Sequence, residues 1–394
     1  MRLPAAITGD PDLQAVLGLL ERGGHHALIV GGAVRNGLIG VPVEDVDIAT
    51  DARPGRVQAL AEAAGLKTVP TGIEHGTVTV IAGGHPFEVT TFRRDVETFG
   101  RHATVVFSDR VEEDAARRDF TMNALYATAT GEVLDPVGGL PDLAARRVRF
   151  VGDAEARIAE DYLRILRFFR FHAWYGAPGA ADPAALAACR AGLRGMAQLS
   201  RERIGAELRK LLAAPDPVEA VRLMAGTGVL AQVLPGADAV ALPALIAAER
   251  AAGAAPDWTR RLALIAPGIP TAALRLSRTE ASRLAALVAH AGPHAGRFSV
   301  DAAGFRLGAG LGRDAALIAA ARGAALPEGW MQRLAEAAAA PLPIAARDIA
   351  PPLEGAAIGR GLRAAERAWI DSGFSMPAPG LIDVALLAAE GEGG

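Results

Sequence analysis

Two aspartates, Asp45 and Asp47, stand one residue apart in VPVEDVDIAT. The run around them has the composition of a strand, and in a strand residues i and i+2 project from the same face. Neighbouring carboxylates repel each other unless a cation lies between them. A hard divalent ion such as Mg²⁺ takes oxygen ligands of this kind, completed by substrate phosphates. Upstream, the apolar run 27–30 ends in Gly31 and Gly32, and a helix-like segment carrying Arg35 follows. A glycine turn ahead of a helix offers free backbone N–H groups to a phosphate. Each feature has a plainer reading, as solvated acids at a strand end or as a simple turn. At this spacing, with Arg35 between them, they point to metal-assisted chemistry on a nucleotide.

Glu88 is a candidate third acid. In FEVTTF, Phe87, Val89 and Thr91 alternate with Glu88 and Thr90, so Glu88 lies on the other face of a strand. There it can complete a metal site or help deprotonate an attacking hydroxyl; otherwise it is a surface glutamate. The segment 114–123 (DAARRDFTMN) gathers Arg117, Arg118 and Asp119 ahead of an apolar stretch. The planar fork of arginine suits bidentate phosphate contact; the plainer reading is a charged first helical turn with internal ion pairs, and Asp119 can equally be the partner that orients Arg118. In EDYLRILRFFR, Asp161, Arg164, Arg167 and Arg170 recur every third residue. At ~100° per residue they draw a slanted polar stripe along an otherwise apolar helix. Such a row lines a cleft or packs as ion pairs. The eight histidines show no metal-ligand spacing; His102, in an expected loop, is the one placed to reach a substrate. GxSxG, P-loop and Ser/His/Asp patterns are missing, so covalent nucleophilic catalysis has no support.

These groups must be positioned by several domains, because 394 residues exceed one ordinary core. A 51% hydrophobic chain with net charge -3 reads as folded and soluble, and any RNA contact must use a local arginine-rich surface. The single Cys189 excludes an internal disulfide and fits a reducing cytoplasm. Paired Cys/His spacing for zinc, a signal-peptide core and a membrane-length apolar run are not found. Candidate strands are 27–30, 46–49, 77–82 and 87–92, the last two joined by a hairpin turn over Gly83, Gly84, His85 and Pro86. A helix is expected over 53–65, with Pro54 at its start and Gly65 at its end. Residues 98–108 read as a mobile loop and a short strand. Beyond about residue 155 strand signals fade. One long helix is expected over 156–175, with others over 183–193, 200–213 and 218–227, then stacked short helices rich in Ala, Leu and Arg. Arg260, Arg261, Arg275 and Arg283 read as scattered, solvated helix residues. The fold class is α+β, an N-terminal mixed head followed by an all-helical remainder.

In order along the chain, GGAVRN…DVDIAT, FEVTTFRRD, EDAARRDFTMNAL, VLDPVGGLPDL, VRFVGD, EDYLRILRFFRF and SRERIGAELRKLL resemble the motifs of class II CCA-adding tRNA nucleotidyltransferases and the related bacterial poly(A) polymerases. The resemblance covers roughly residues 25–235. It implies a polymerase-β-like nucleotidyltransferase head (1–145), a helical neck with a base-recognition helix and the start of an RNA-binding body (146–235), and a helical body and tail that bind tRNA (236–394). It implies that Asp45 and Asp47 hold Mg²⁺ and that Glu88 is the third carboxylate. Gly31, Gly32, Arg35 and Arg118 would meet the triphosphate. Asp161 and Arg164 would read the edge of the incoming base, with Arg167 and Arg170 supporting the pocket. The implied reaction is template-independent addition of CCA to the tRNA 3′ end from CTP and ATP. Poly(A), CC-only and A-only addition are the rivals within the family, and a non-catalytic RNA- or nucleotide-binding module is the rival outside it. The stretch GTVTVIAGGHPFEVTTF has no Lys or Arg and the chain ends AAEGEGG, features that favour CCA over poly(A) addition. Two positions depart from the pattern. Asn36 stands where the family usually has Asp after the arginine, and Phe99-Gly100-Arg101 replaces an Asp-Gly-Arg loop thought to couple the switch from C to A, leaving Asp95 and Arg101 as candidates there. No second, HD-type phosphohydrolase site is expected.

Overall fold

The computed structural model describes residues 1–99, 102–268, 271–292, 297–350 and 353–390. They divide into two compact units, Met1–Val233 and Leu234–Gly394. In the first unit a short helix, Ala5–Thr8, is followed by the helix Pro11–Arg22, capped by the Asp10 carboxylate on the N–H groups of Asp12 and Leu13. The strands are β1 (Leu28–Val30), β2 (Asp47–Thr50), β3 (Lys67–Gly72), β4 (Thr77–Ala82), β5 (His85–Thr91), β6 (Arg93–Phe99), β7 (His102–Phe107), β8 (Tyr126–Ala127) and β9 (Val133–Leu134). Seven of them form one mixed sheet in the order β3-β4-β5-β2-β1-β8-β9. Among the described residues only β2 and β5 pair in parallel, in the register Ile48–Val89. Gly83 and Gly84 make the β4–β5 turn, both with positive φ (55° and 86°), as a two-residue hairpin demands.

Register decides which face carries the acids. Ile48, Phe87 and Val89 are buried together beneath the sheet. Leu28, Val30 and Ala49 alternate to the opposite face, where they pack with Phe92, Ala115 and Tyr126. Asp47 pairs with Val30 across the β1–β2 ladder and, by alternation, shares that second face with Ala49.

Three local expectations need correction. β2 begins at Asp47, so Asp45 lies in the coil just before the strand and the i, i+2 rule does not align it. Within 98–108 the expected short strand is β7, but its pairing lies outside that expectation: β6 and β7 form an antiparallel ladder from Arg93–Phe107 to Phe99–His102. Threonine and valine at alternate positions supply that strand character. Gly100 and Arg101, the centre of the altered loop, lie outside the described residues. The expected helix 156–175 is two helices, Ala154–Glu160 and Leu163–Tyr175, because Asp161 is extended (φ -154°, ψ 106°). Its carboxylate accepts the Leu163 N–H at 3.1 Å and so caps the second helix. Apolar periodicity runs through this break unaltered and hides it.

After β9 the chain is helical. In the second unit two of the four arginines expected in solvent are buried, Arg283 is half-buried and Arg275 is exposed as expected. Arg260 and Arg261 are 2% and 0% exposed. Both pair with Glu249, at 2.8 and 2.7 Å, and Arg260 also reaches Asp314 at 2.6 Å. Arg283 bridges Asp257 and Asp314. These charges hold helices to one another. Among the described residues no helix is long and apolar enough to cross a membrane.

Candidate active site

A cavity of about 540 Å³ opens in the first unit. One wall is Gly32, Arg35, Asn36 and residues 41–45 with Asp47; the other is Arg170, Phe171, Trp174, Tyr175 and Lys210. The start of the helix Gly32–Ile39 forms part of it. Its N-cap Gly31 has φ 66° and ψ -115°, outside the regions open to other residues. The Gly31 N–H bonds the Leu125 carbonyl at 3.0 Å, and a Cβ there would stand 3.3 Å from Arg118 Nη1. N–H groups of the first helical turn have no helical acceptor ahead of them. Gly31→Ala is expected to destabilise the fold by about 1–3 kcal/mol, read as a lower urea midpoint. An unchanged midpoint would show that this turn is not strained.

Asp45 and Asp47 both line the cavity despite the missing strand geometry. Asp47 is open at the surface, yet its pKa is raised above the ordinary carboxylate range. Lost hydration is the main cause, the Glu88 carboxylate adds to it, and Asp45 adds less; Arg118 pulls the other way. Three acids therefore crowd one spot with too little cationic compensation. Glu88 is exposed on β5, one residue before the Val89 that pairs with Ile48, and so stands in step with Asp47. Among the described residues no group of three or more His, Cys, Asp or Glu encloses a metal by itself. Two carboxylates and a repelling neighbour fit a hard divalent cation whose remaining ligands are substrate oxygens and water.

Arg35 is 6% exposed. Its Nε and Nη2 donate to Asn36 Oδ1 at 3.1 and 2.9 Å, Nη2 also donates to the Tyr175 hydroxyl at 2.8 Å, and Nη1 donates to Asn123 Oδ1. The guanidinium lies 4.0 Å from the Tyr175 ring centre. Burial lowers its pKa, against the opposing influence of Tyr175. Arg118 differs. It donates to Asp114 Oδ2 at 2.9 Å and to the Tyr126 hydroxyl at 3.0 Å. Burial alone would lower its pKa, but Asp114 more than offsets this and raises it. Arg118 is thus a clamped cation, with Asp114 rather than Asp119 as its orienting partner. Asp119 instead holds Arg167 through Nε at 2.8 Å, and Asn123 Nδ2 at 3.0 Å. The chain Arg35–Asn123–Asp119–Arg167 therefore joins the glycine-turn helix to the helix Leu163–Tyr175.

The expected polar stripe dissolves into separate ion pairs. Asp161 takes both terminal nitrogens of Arg203, at 3.2 and 2.6 Å. Arg164 donates to Glu160 and, at 2.8 Å, to the Arg157 carbonyl. Arg170 pairs with Glu207 at 2.8 Å. Of the sequence candidates, Gly32, Arg35, Asp45, Asp47 and Arg170 line the cavity. Gly31, Glu88 and Arg118 adjoin it; Asp161, Arg164 and Arg167 do not line it. His102 and Asp95 have no described side chains. Sequence reasoning missed Tyr175, Trp174, Lys210 and Arg203. Tyr175 lies four residues after Phe171, one turn on along the same face, and that spacing was its only signal.

A family model described as "Poly A polymerase head domain" matches residues 27–149, and one described as "Probable RNA and SrmB- binding site of polymerase A" matches 181–240. The CCA-adding enzyme of Geobacillus thermodenitrificans is 44% identical over 231 residues, 57% of this chain and 55% of that protein. The mitochondrial CCA tRNA nucleotidyltransferase 1 of Homo sapiens is 43% identical over 205 residues, 51% of this chain and 46% of that protein. The chain spans about half the length of the curated relatives it matches. The crystal structure of the Bacillus stearothermophilus CCA-adding enzyme in complex with CTP is 30% identical, covers 92% of each chain and superposes with a TM-score of 0.72. The Thermotoga maritima CCA-adding enzyme complexed with tRNA shares the fold, with a TM-score of 0.70 at 18% identity over 99% of each chain. The mixed-sheet head with a mostly helical remainder expected from the sequence is the architecture of these proteins.

Proposed function

Because the chain belongs to the family of CCA-adding tRNA nucleotidyltransferases and poly(A) polymerases, we propose that it adds CCA to the 3′ end of tRNA from CTP and ATP, releasing pyrophosphate. The observation that carries this reading is that the Asp45/Asp47 pair, the helix start at Gly32 and Arg35 line a single cavity. In this reading residues 1–145 are the catalytic head, 146–235 the neck and 236–394 the tRNA-binding body and tail. The lone Cys189, buried with its thiol pushed up by burial, suits the reducing cytoplasm.

Asp45 and Asp47 would hold Mg²⁺, which when bound lowers the pKa of the attacking hydroxyl and neutralises charge on the triphosphate and the leaving pyrophosphate. The first-turn N–H groups from Gly32 and the Arg35 guanidinium bind the triphosphate oxygens. Arg118, locked by Asp114, adds fixed positive charge beside Asp47. The tRNA 3′-hydroxyl attacks the α-phosphate in line, and Glu88 next to Asp47 favours removal of its proton. Positioning and charge neutralisation supply most of the rate. In this reading Arg164, whose Nη1 is taken by Glu160 and the Arg157 carbonyl, would turn its other nitrogens to the base edge, and Asp161 would give up part of its pairing with Arg203 to act as the acceptor. Arg167 and Arg170 support that pocket.

A tRNA transcript lacking CCA, supplied with CTP, ATP or both, tests the reading by product length. Three added nucleotides with both substrates are expected. A long A tract, two C residues alone or one A alone would assign the rival activities, and no extension with no pyrophosphate would leave a binding module. Arg164→Ala is expected to reduce discrimination among bases by about 10- to 100-fold, the scale of one bidentate base contact, with a smaller loss of rate. Sequencing the added nucleotides checks this, and unchanged selectivity would remove Arg164 from base reading.

A further inference from the structure

We propose that Asn36 is a two-sided positioning residue: its amide oxygen aims an uncompensated Arg35 cation at the anion in the cavity, while its amide nitrogen ties that arginine to the loop bearing Asp45. The inference rests on the reading of the cavity as a triphosphate site.

Every hydrogen bond from Arg35 ends on a neutral acceptor: Asn36 Oδ1, Asn123 Oδ1 and the Tyr175 hydroxyl. The neighbouring arginines do not share this state. Arg118 is bound by Asp114, Arg167 by Asp119 and Arg170 by Glu207. Asp119 acts on Arg35 only through space, being itself bound by Arg167 and Asn123. Arg35 is therefore held in place by dipoles while its full charge stays available to an incoming polyanion. Charge-assisted bonds to phosphate are about twice as strong as neutral ones, so this arrangement directs affinity to one point of the cavity.

The second side is Asn36 Nδ2, which donates to the Pro42 carbonyl at 3.0 Å. Pro42 lies three residues before Asp45, and both line the cavity. A carboxylate at position 36 could satisfy Arg35 but would set a negative oxygen against the Pro42 carbonyl. It would also neutralise the guanidinium. The amide donates on one side and accepts on the other, which an ionised carboxylate cannot do.

Two variants separate the roles. Asn36 is half-buried on a helix surface, so Asn36→Asp adds charge without leaving it sealed from solvent. Isothermal titration with sodium tripolyphosphate, without metal, is expected to show about tenfold weaker binding for Asn36→Asp and a smaller loss for Asn36→Ala. Both variants should need several-fold more Mg²⁺ for half-maximal CTP addition, because both lose the tie to Pro42. Tripolyphosphate affinity unchanged by Asn36→Asp, or lowered equally by Asn36→Ala, overturns the inference. If Asn36→Asp does not fold, an unaltered Mg²⁺ requirement in Asn36→Ala overturns it instead. A wild-type protein that binds tripolyphosphate yet extends no tRNA would sink the functional reading and leave the anion site standing.

Discussion

Asp47→Asn is expected to reduce addition of both CTP and ATP about a hundred- to a thousandfold, the scale of losing one preorganised electrostatic group at a reacting centre, while making the ligand-free protein more stable. The two effects share a cause. The Asp47 carboxyl has a raised pKa through lost hydration and the nearby Glu88, so the folded state holds its proton more tightly than the unfolded chain. Stability then falls as pH rises from the ordinary carboxylate pKa through the raised one. Asparagine removes that loss. The variant should melt above wild type near pH 7, and the gap should close in acid. Mg²⁺ with nucleotide should raise the melting temperature of wild type and not of the variant. A variant that melts lower at neutral pH would mean the carboxylate is stabilised in the free protein, contrary to the crowding argued here. Near wild-type incorporation would end the catalytic assignment.

Asp114→Asn is expected to destabilise the first unit by about 3–5 kcal/mol, because removing one partner of a buried ion pair leaves the other charge unpaired. Asp114 is 1% exposed and accepts from Arg117 at 2.8 Å, from Arg118 at 2.9 Å and from the Tyr126 hydroxyl at 2.7 Å. An asparagine would turn an NH₂ toward these donors. For a unit of this size the melting temperature should drop on the order of 10 °C. Burial would raise the Asp114 pKa, but Arg118 and Arg117 outweigh it and hold it below the usual range. A depressed acid contributes stability above its unfolded pKa and loses it as pH falls through the folded value. The difference between wild type and variant should therefore be full at neutral pH and shrink below about pH 4. Calorimetric melts across that range check the sign. A difference that grows in acid would contradict it.

Much of this site is legible in the chain because its parts are local. The apolar run before Gly31 and the double glycine each state their own geometry within a few residues. Alternation along FEVTTF correctly sets Glu88 apart from the buried Phe87 and Val89. What is not legible depends on contacts between distant residues. Asp161 looks like one more position on a continuous helix, because the carboxylate that interrupts it is held by Arg203, 42 residues on. Periodicity shows a row of arginines but not that each answers a different acid, so four ion pairs read as one stripe. Arg260 and Arg261 look solvated for the same reason: only the packed helices bring Glu249 between them. Asp45 shows the converse case. The strand rule that pointed to it does not hold at its position, yet the coil before β2 still carries it to the cavity.

The most direct test is a crystal soaked with Mn²⁺ and a non-hydrolysable CTP analogue, with anomalous scattering used to locate the metal. The account predicts density bonded to the Asp45 and Asp47 carboxylates, with the triphosphate against Gly32 and Arg35. Metal bound elsewhere, or a triphosphate seated away from that helix start, would contradict it.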